Sequence, residues 1–253
     1  MDLDLDGARA VLTGGTRGIG QVIAQRLAHE GVTVALCSRD GTQARAAAEA
    51  IGGFGIQADV TRDDELANLV TTAARHMGGI DIVIANAGGA SGGRHLDDTS
   101  PDDWRRTFDI NVVHPVSVVR AAIPYLEQST RAAALMVSSI SGSRPQLRAQ
   151  YAAAKAAESH AAAALGRELG PRRIRVNAIS PGSILVPGGS WDRRREDDPA
   201  AFAKWIADEL PFGRLGTPEE VADVAAFLVS PRAAWIAGTN VVVDGAQGRP
   251  TMR

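Results

Sequence analysis

The chain reads as an α/β fold: a doubly wound, seven-stranded, mainly parallel sheet with helices on both faces. Three observations predict it. Short β-branched or apolar runs recur along the whole chain, amphipathic stretches of helical period separate them, and the first run ends in a glycine-rich turn, "LTGGTRGIGQ".

In chain order the expected strands are Ala8 to Thr13, Thr33 to Cys37, Phe54 to Gln57, Ile80 to Asn86, Ala133 to Ser138, Arg173 to Ile179 and Asn240 to Val243. The expected helices are Ile19 to Glu30, Gln43 to Ala50, Asp63 to His76, Trp104 to Tyr125, Tyr151 to Leu169 and Pro218 to Leu228. Strands that alternate with helices require crossover connections, and ligands then bind at the carboxyl ends of the strands. The alanine run from Ala152 to Ala164 fits a helix, because alanine is the best helix former and its bare face lets helices pack closely.

Composition excludes several classes of function. With 253 residues, 45% hydrophobic and 22% charged, the chain can bury a real core, and nothing reads as a linker between two domains. A formal charge of -2 gives no basic field for nucleic acid or a membrane surface, and no apolar run approaches the roughly 18 to 20 residues of a bilayer span. The start, "MDLDLDGARA", is acidic where a secretory signal is basic and then apolar, and Cys37 is the sole cysteine, so no intrachain disulfide forms. A cytoplasmic protein with no metal site is the expectation.

Gly14, Gly18 and Gly20 fall on the first strand-to-helix turn, where a nucleotide pyrophosphate can meet the amides and positive end of a helix. Their spacing is Gly-x-x-x-Gly-x-Gly, which differs from the commoner Gly-x-Gly-x-x-Gly fingerprint and lacks the ending of an NTPase loop. An ordinary glycine-rich turn is the alternative. The second strand ends "ALCSRD": Ser38 stands where an acid would bind the ribose of NAD, Arg39 follows, and Arg17 can close on a 2′-phosphate from the other side. This favours NADP(H), with NAD(H) still open because Asp40 is near. Arg17 and Arg39 as solvated surface side chains are the plainer reading.

Tyr151 and Lys155 are four residues apart on an expected helix, so they share a face one turn apart. An ammonium beside a phenol favours phenolate and makes tyrosine a usable proton donor or acceptor. A chance surface pair is the alternative. Twelve residues before Tyr151, "VSSISG" offers Ser139 as a hydrogen-bond donor to a substrate carbonyl oxygen.

The ordered series "TGGTRGIG", "ADV", "NAG", "IN", "SSISG", "YAAAK" and "SPG" resembles the short-chain dehydrogenase/reductase family over nearly the whole chain. In overall look it is nearest to the 3-oxoacyl carrier-protein reductase branch. The resemblance implies a single Rossmann domain over 1–253, with 183–212 as a lid over the substrate. It implies a nucleotide bound by Gly14, Thr16, Arg17, Gly18, Ile19, Gly20, Ser38 and Arg39 at the glycine turn. Asp59 and Val60 would contact the adenine end, and Asn86, Ala87 and Gly88 the ribose side. Pro181, Gly182 and Ile184 would border the carboxamide, with Ile184 acting through its backbone. Ser139 would orient the carbonyl, Tyr151 would exchange the proton, and Lys155 would lower the tyrosine pKa and bind the nicotinamide ribose. Asn111 would break its helix ladder and hold a water in the relay through its side chain. As separate structural residues, Asn86 and Asn111 would be capping or turn residues, Ser139 a strand-end hydroxyl and Asp59 an N-cap.

One departure from the family pattern matters. Many relatives carry a cofactor-binding threonine after the Pro-Gly pair, whereas "PGSILVPGG" puts Val186 near that place and leaves Ser183 to supply a hydroxyl. In the lid, Trp191, Phe202, Trp205 and Ile206 are candidates to wall an apolar pocket, Gly188 and Gly189 would permit movement, and Asp192 to Asp197 reads as a solvated turn. Arg94, His95, Arg144 and Gln146 are candidates for the entrance. Arg131, Arg172 and Arg173 are candidates for meeting a carrier protein, but the stretch "PYLEQSTR" is poor in positive charge. The expected activity is interconversion of a carbonyl and a secondary alcohol, on a 3-oxoacyl or small ketone or sugar-type substrate, by a homotetramer. The alternatives are an NAD-dependent alcohol dehydrogenase of the same family and a non-catalytic dinucleotide-sensing protein.

Overall fold

The computed structural model describes residues 1–248. Its strands are β1 (Arg9–Thr13), β2 (Thr33–Ser38), β3 (Phe54–Gln57), β4 (Ile82–Ala85), β5 (Ala133–Val137), β6 (Arg175–Pro181) and β7 (Asn240–Val243). They form one seven-stranded sheet in the order β3-β2-β1-β4-β5-β6-β7. Every pairing is parallel, including that of β7 on β6. This is a Rossmann-type α/β fold.

Alternation along each strand sends side chains to two separate cores. Leu12 of β1 and Ile82 and Ile84 of β4 join the face covered by α1 (Gly18–His29), α2 (Gly41–Glu49) and α9 (Pro218–Val229). Val11 and Val83 join the opposite face, covered by α3 (Asp63–Met77), α5 (His114–Leu126) and α6 (Ala149–Leu169). Each fully buried Leu or Ile contributes about 1.5–3 kcal/mol. The remaining helices are α4 (Pro101–Phe108), α7 (Ser190–Asp197) and α8 (Pro199–Glu209).

β4, α2 and α6 each start two residues away from the sequence expectation, and three further segments differ for a visible local reason. The single helix expected from Trp104 to Tyr125 begins at Pro101, behind a Ser100 capping box, and is interrupted by a π-turn over Asp109–Val113. β6 starts two residues late, because Arg173 closes the preceding turn with φ +59. The charged run from Asp192 to Asp197 is helical rather than a turn, with Asp192 bonded to Arg195 and to the Gly188 amide.

Candidate active site

Strand order reverses between β1 and β4, so the crevice of the sheet opens between the turn after β1 and the segment after β4. Two glycines make the first turn possible. Gly18 has φ +59, a backbone that side chains rarely adopt. Gly20 lies so close beneath Asn86 that a Cβ there would stand 2.3 Å from both Asn86 Nδ2 and the Gly14 carbonyl. Asn86 Nδ2 donates to the Thr13 and Gly14 carbonyls, at 3.0 and 2.9 Å. Its amide therefore latches β4 to the glycine turn.

The first turn of α1 has no side-chain cap and no acidic residue, and its N-cap, Arg17, is exposed. Helix α2 is the contrast: Asp40 accepts from the amides of Thr42 (2.8 Å) and Gln43 (3.1 Å) and from Gln43 Nε2. Asp40 is thus committed as an N-cap. Ser38 ends β2, and Arg39 beside it is exposed. Asp59 caps its own turn through the amide and hydroxyl of Thr61, and those bonds, with Arg39 and Arg62, hold its carboxyl below the usual range.

Behind the crevice, Thr13 is a hub that the sequence reading missed. Its Oγ1 accepts from the amides of Asn86 (3.1 Å) and Ala87 (3.3 Å) and lies 3.0 Å from His114 Nε2. His114 Nδ1 faces the Ile110 carbonyl at 3.0 Å, so it carries the proton and Nε2 accepts from the Thr13 hydroxyl. Burial pushes this imidazole down to about 4.

The end of β5 rests on α6. Ser138 Oγ donates to the Lys155 carbonyl at 3.0 Å, and a Cβ on Gly142 would come 2.7 Å from the Ala156 nitrogen. Ser139 caps the 3₁₀ turn Ile140–Gly142, accepting from the Ser141 amide and donating to Ser141 Oγ at 2.9 Å. On α6, Lys155 Nζ lies 5.8 Å from the centre of the half-buried Tyr151 ring. It donates to the Val137 carbonyl at 2.8 Å and to Glu158 Oε2 at 2.7 Å.

Gly88 lies over this group: a Cβ there would be 2.8 Å from Asn111 Oδ1 and 3.3 Å from Lys155 Nζ. The ladder breaks at Asn111 in the π-turn. Asn111 Nδ2 donates to the Thr107 carbonyl (2.7 Å) and to the Gly89 carbonyl, while Oδ1 accepts from the Gly89 amide. Both Nδ2 protons are thus engaged with backbone, while Oδ1 keeps one lone pair for a further donor.

After β6, the Gly182 amide donates to the Val243 carbonyl, and buried Gln247 holds both the amide and the hydroxyl of Ser183. Ser183 Oγ accepts in that bond, so its hydroxyl proton remains available to donate. Ile184 pairs with Gly216. Val186 reaches the glycine turn, 3.5 Å from a Cβ built on Gly18. Trp191 and Trp205 stack at 4.3 Å, and Arg194 lies over both rings. With Phe202, Ile206, Leu210 and Leu215 they form a third, separate cluster. Arg144 donates to the Gln247 carbonyl and faces Glu209, and the Arg94 carbonyl accepts from the Arg148 amide. Among the described residues no His, Cys, Asp and Glu cluster suits a metal ion, and no helix is long and apolar enough to cross a membrane.

A parallel sheet with a glycine turn at its switch point and a Tyr/Lys face beside it defines a nucleotide-binding α/β protein. A family model described as Enoyl-(Acyl carrier protein) reductase matches residues 14–246. Isoepoxydon dehydrogenase patN of Penicillium expansum is 37% identical over 257 residues, 95% of each chain. A solved 7α-hydroxysteroid dehydrogenase, complexed with NADH and 7-oxo glycochenodeoxycholic acid, is 32% identical with a TM-score of 0.87, over 96% of this chain and 95% of that one. The Pseudomonas aeruginosa RhlG/NADP active-site complex is 28% identical with a TM-score of 0.89, over 98% of each. The chain belongs to the short-chain dehydrogenase/reductase family and is an oxidoreductase of that family.

Proposed function

We propose that the chain is an NADP(H)-dependent oxidoreductase that interconverts a carbonyl and a secondary alcohol, with Ser139, Tyr151, Lys155 and Asn111 forming the proton-transfer site. One observation carries the reading: Tyr151 and Lys155 share a face of α6, and Lys155 Nζ lies beneath Gly88 beside Asn111. The residues present fit a dinucleotide. The uncapped start of α1 receives an anion, and the backbone of the glycine turn, Thr16 and Ile19 included, frames it. In this reading Asp59, Val60, Asn86, Ala87, Gly88, Pro181, Gly182 and Ile184 would border the bound dinucleotide.

A bound nicotinamide supplies the hydride; the protein supplies position and field. Ser139 turns its hydroxyl from Ser141 to the substrate oxygen. Tyr151 gives that oxygen a proton in reduction and takes it back in oxidation. Lys155 stabilises the phenolate and, with Asn111 fixing the π-turn beside it, keeps the ammonium at the ribose side.

NADP(H) is favoured because Ser38 replaces an acid, Arg39 and Arg17 are exposed, and Asp40 is committed to capping α2. NAD(H) use is the competing reading, and the NADH in the 7α-hydroxysteroid dehydrogenase complex is the observation on its side. A single domain over 1–253, a substrate lid over 183–212 carrying the Trp191–Trp205 stack, a 3-oxoacyl or small ketone or sugar-type substrate, a homotetramer and a cytoplasmic location complete the proposal. The test pairs binding with turnover. NADPH should bind more tightly than NADH, and Arg39→Ala should erase the difference. Absorbance at the reduced-nicotinamide band should fall with a diketone, a 3-oxoester or a quinone. A chain that binds NADPH tightly yet oxidises it with no member of such a panel would be a dinucleotide sensor instead.

A further inference from the structure

Glu158 lies one turn beyond Lys155, so Tyr151, Lys155 and Glu158 stand at i, i+4 and i+7 along one face of α6. Its Oε2 is 2.7 Å from Lys155 Nζ, and the two side chains are 1% and 3% exposed. A carboxyl buried this deeply is costly unless its charge is answered, and the proton-transfer roles above give it no task. Lys155 is the charged group that acts on it.

The other groups facing this pair are uncharged. β5 presents the Val137 carbonyl to Nζ, and Ser138 bonds the Lys155 carbonyl. The π-turn presents Asn111, next to Gly88, and α5 presents His114, whose buried ring is neutral. Tyr151 lies on the opposite side of Lys155 from Glu158. An ammonium has three donors, and here two are held by Val137 and Glu158, which leaves one.

We propose that Glu158 is a positioning residue that sets the acidity of Tyr151 through Lys155. Its carboxylate draws the ammonium toward the end of β5 and offsets part of the positive field at the phenol. Seven residues of helix put the carboxylate about 10 Å along the axis from Tyr151, so it opposes the nearer ammonium without cancelling it. Burial raises Glu158 to about 7, so the offset weakens as the carboxyl gains its proton near neutral pH. The consequence for catalysis rests on the role of Tyr151 proposed above; the coupling itself does not.

The chain has two tyrosines, Tyr125 and Tyr151, so tyrosinate absorbance referenced to Tyr151→Phe reads Tyr151 with no substrate or cofactor. Between wild type and Glu158→Gln, the Tyr151 midpoint should fall by about one pH unit, and Glu158→Asp should restore most of the shift. Glu158→Leu gives the same reading if the glutamine variant does not fold. An unmoved midpoint in a folded charge-free variant overturns the proposal. A shifted midpoint in a chain whose Tyr151→Phe variant still turns over supports the coupling and removes the proposed function. Lost turnover with an unmoved midpoint does the reverse.

Discussion

Glu158→Gln separates two buried groups whose titrations tilt the stability curve in opposite directions. Burial raises Glu158 from 4.5 to about 7, so between those values the folded chain keeps a proton that the unfolded chain has lost. Stability therefore falls as pH rises through that range. Burial lowers His114 from 6.5 to about 4, so there the unfolded chain holds the extra proton and stability rises with pH. From pH 4.5 to 6.5 the two slopes, each about 1.4 kcal/mol per unit, cancel. The substitution removes the falling slope alone, while the lost partner of Lys155 lowers the whole curve without tilting it. Across that window the stability of the variant should rise by about 3 kcal/mol relative to wild type. Urea unfolding at fixed protein concentration, followed by tryptophan fluorescence at several pH values, measures it. Parallel curves would refute the reasoning.

Two further outcomes follow from the packing. Gly20→Ala drives a methyl into Asn86 Nδ2 and the Gly14 carbonyl, breaking the latch between β4 and the glycine turn. Overpacking and two lost hydrogen bonds should cost about 3–5 kcal/mol in urea unfolding, and a loss under about 1 kcal/mol would contradict the contact. Trp205→Ala removes the ring between Trp191, Phe202 and Arg194 in a cluster separate from the two main cores. Thermal unfolding should show Tm within a few degrees of wild type while KM for the carbonyl substrate rises about tenfold or more. An unchanged KM would remove 183–212 from the substrate pocket.

The sheet was legible because strands buried on both faces read as near-continuous apolar runs, as in Ala133–Val137. Boundaries slipped where a local signal was left unread. Ser100 and Pro101 mark the start of α4 by a capping box, and Asp40 before Gly41 marks an N-cap that decides how that carboxylate is used. Run 192–197 hid its helix because charge outweighed period, although Trp191 and Arg194 stand at i and i+3 and so share the helix face on which Arg194 covers the Trp191 and Trp205 rings. The Tyr151, Lys155 and Glu158 stripe was present in the spacing and needed only the next turn of the same helix. The link from Thr13 to His114 spans 101 residues and has no local signal at all.

The account depends most on the hydroxyl of Tyr151. Single-turnover oxidation of bound NADPH by a saturating ketone, compared between wild type and Tyr151→Phe, tests it with the NADPH dissociation constant measured in parallel. The variant should bind NADPH within about threefold of wild type and react at least about 10²-fold more slowly. A variant that reacts at close to the wild-type rate would contradict the assignment of the proton to this phenol.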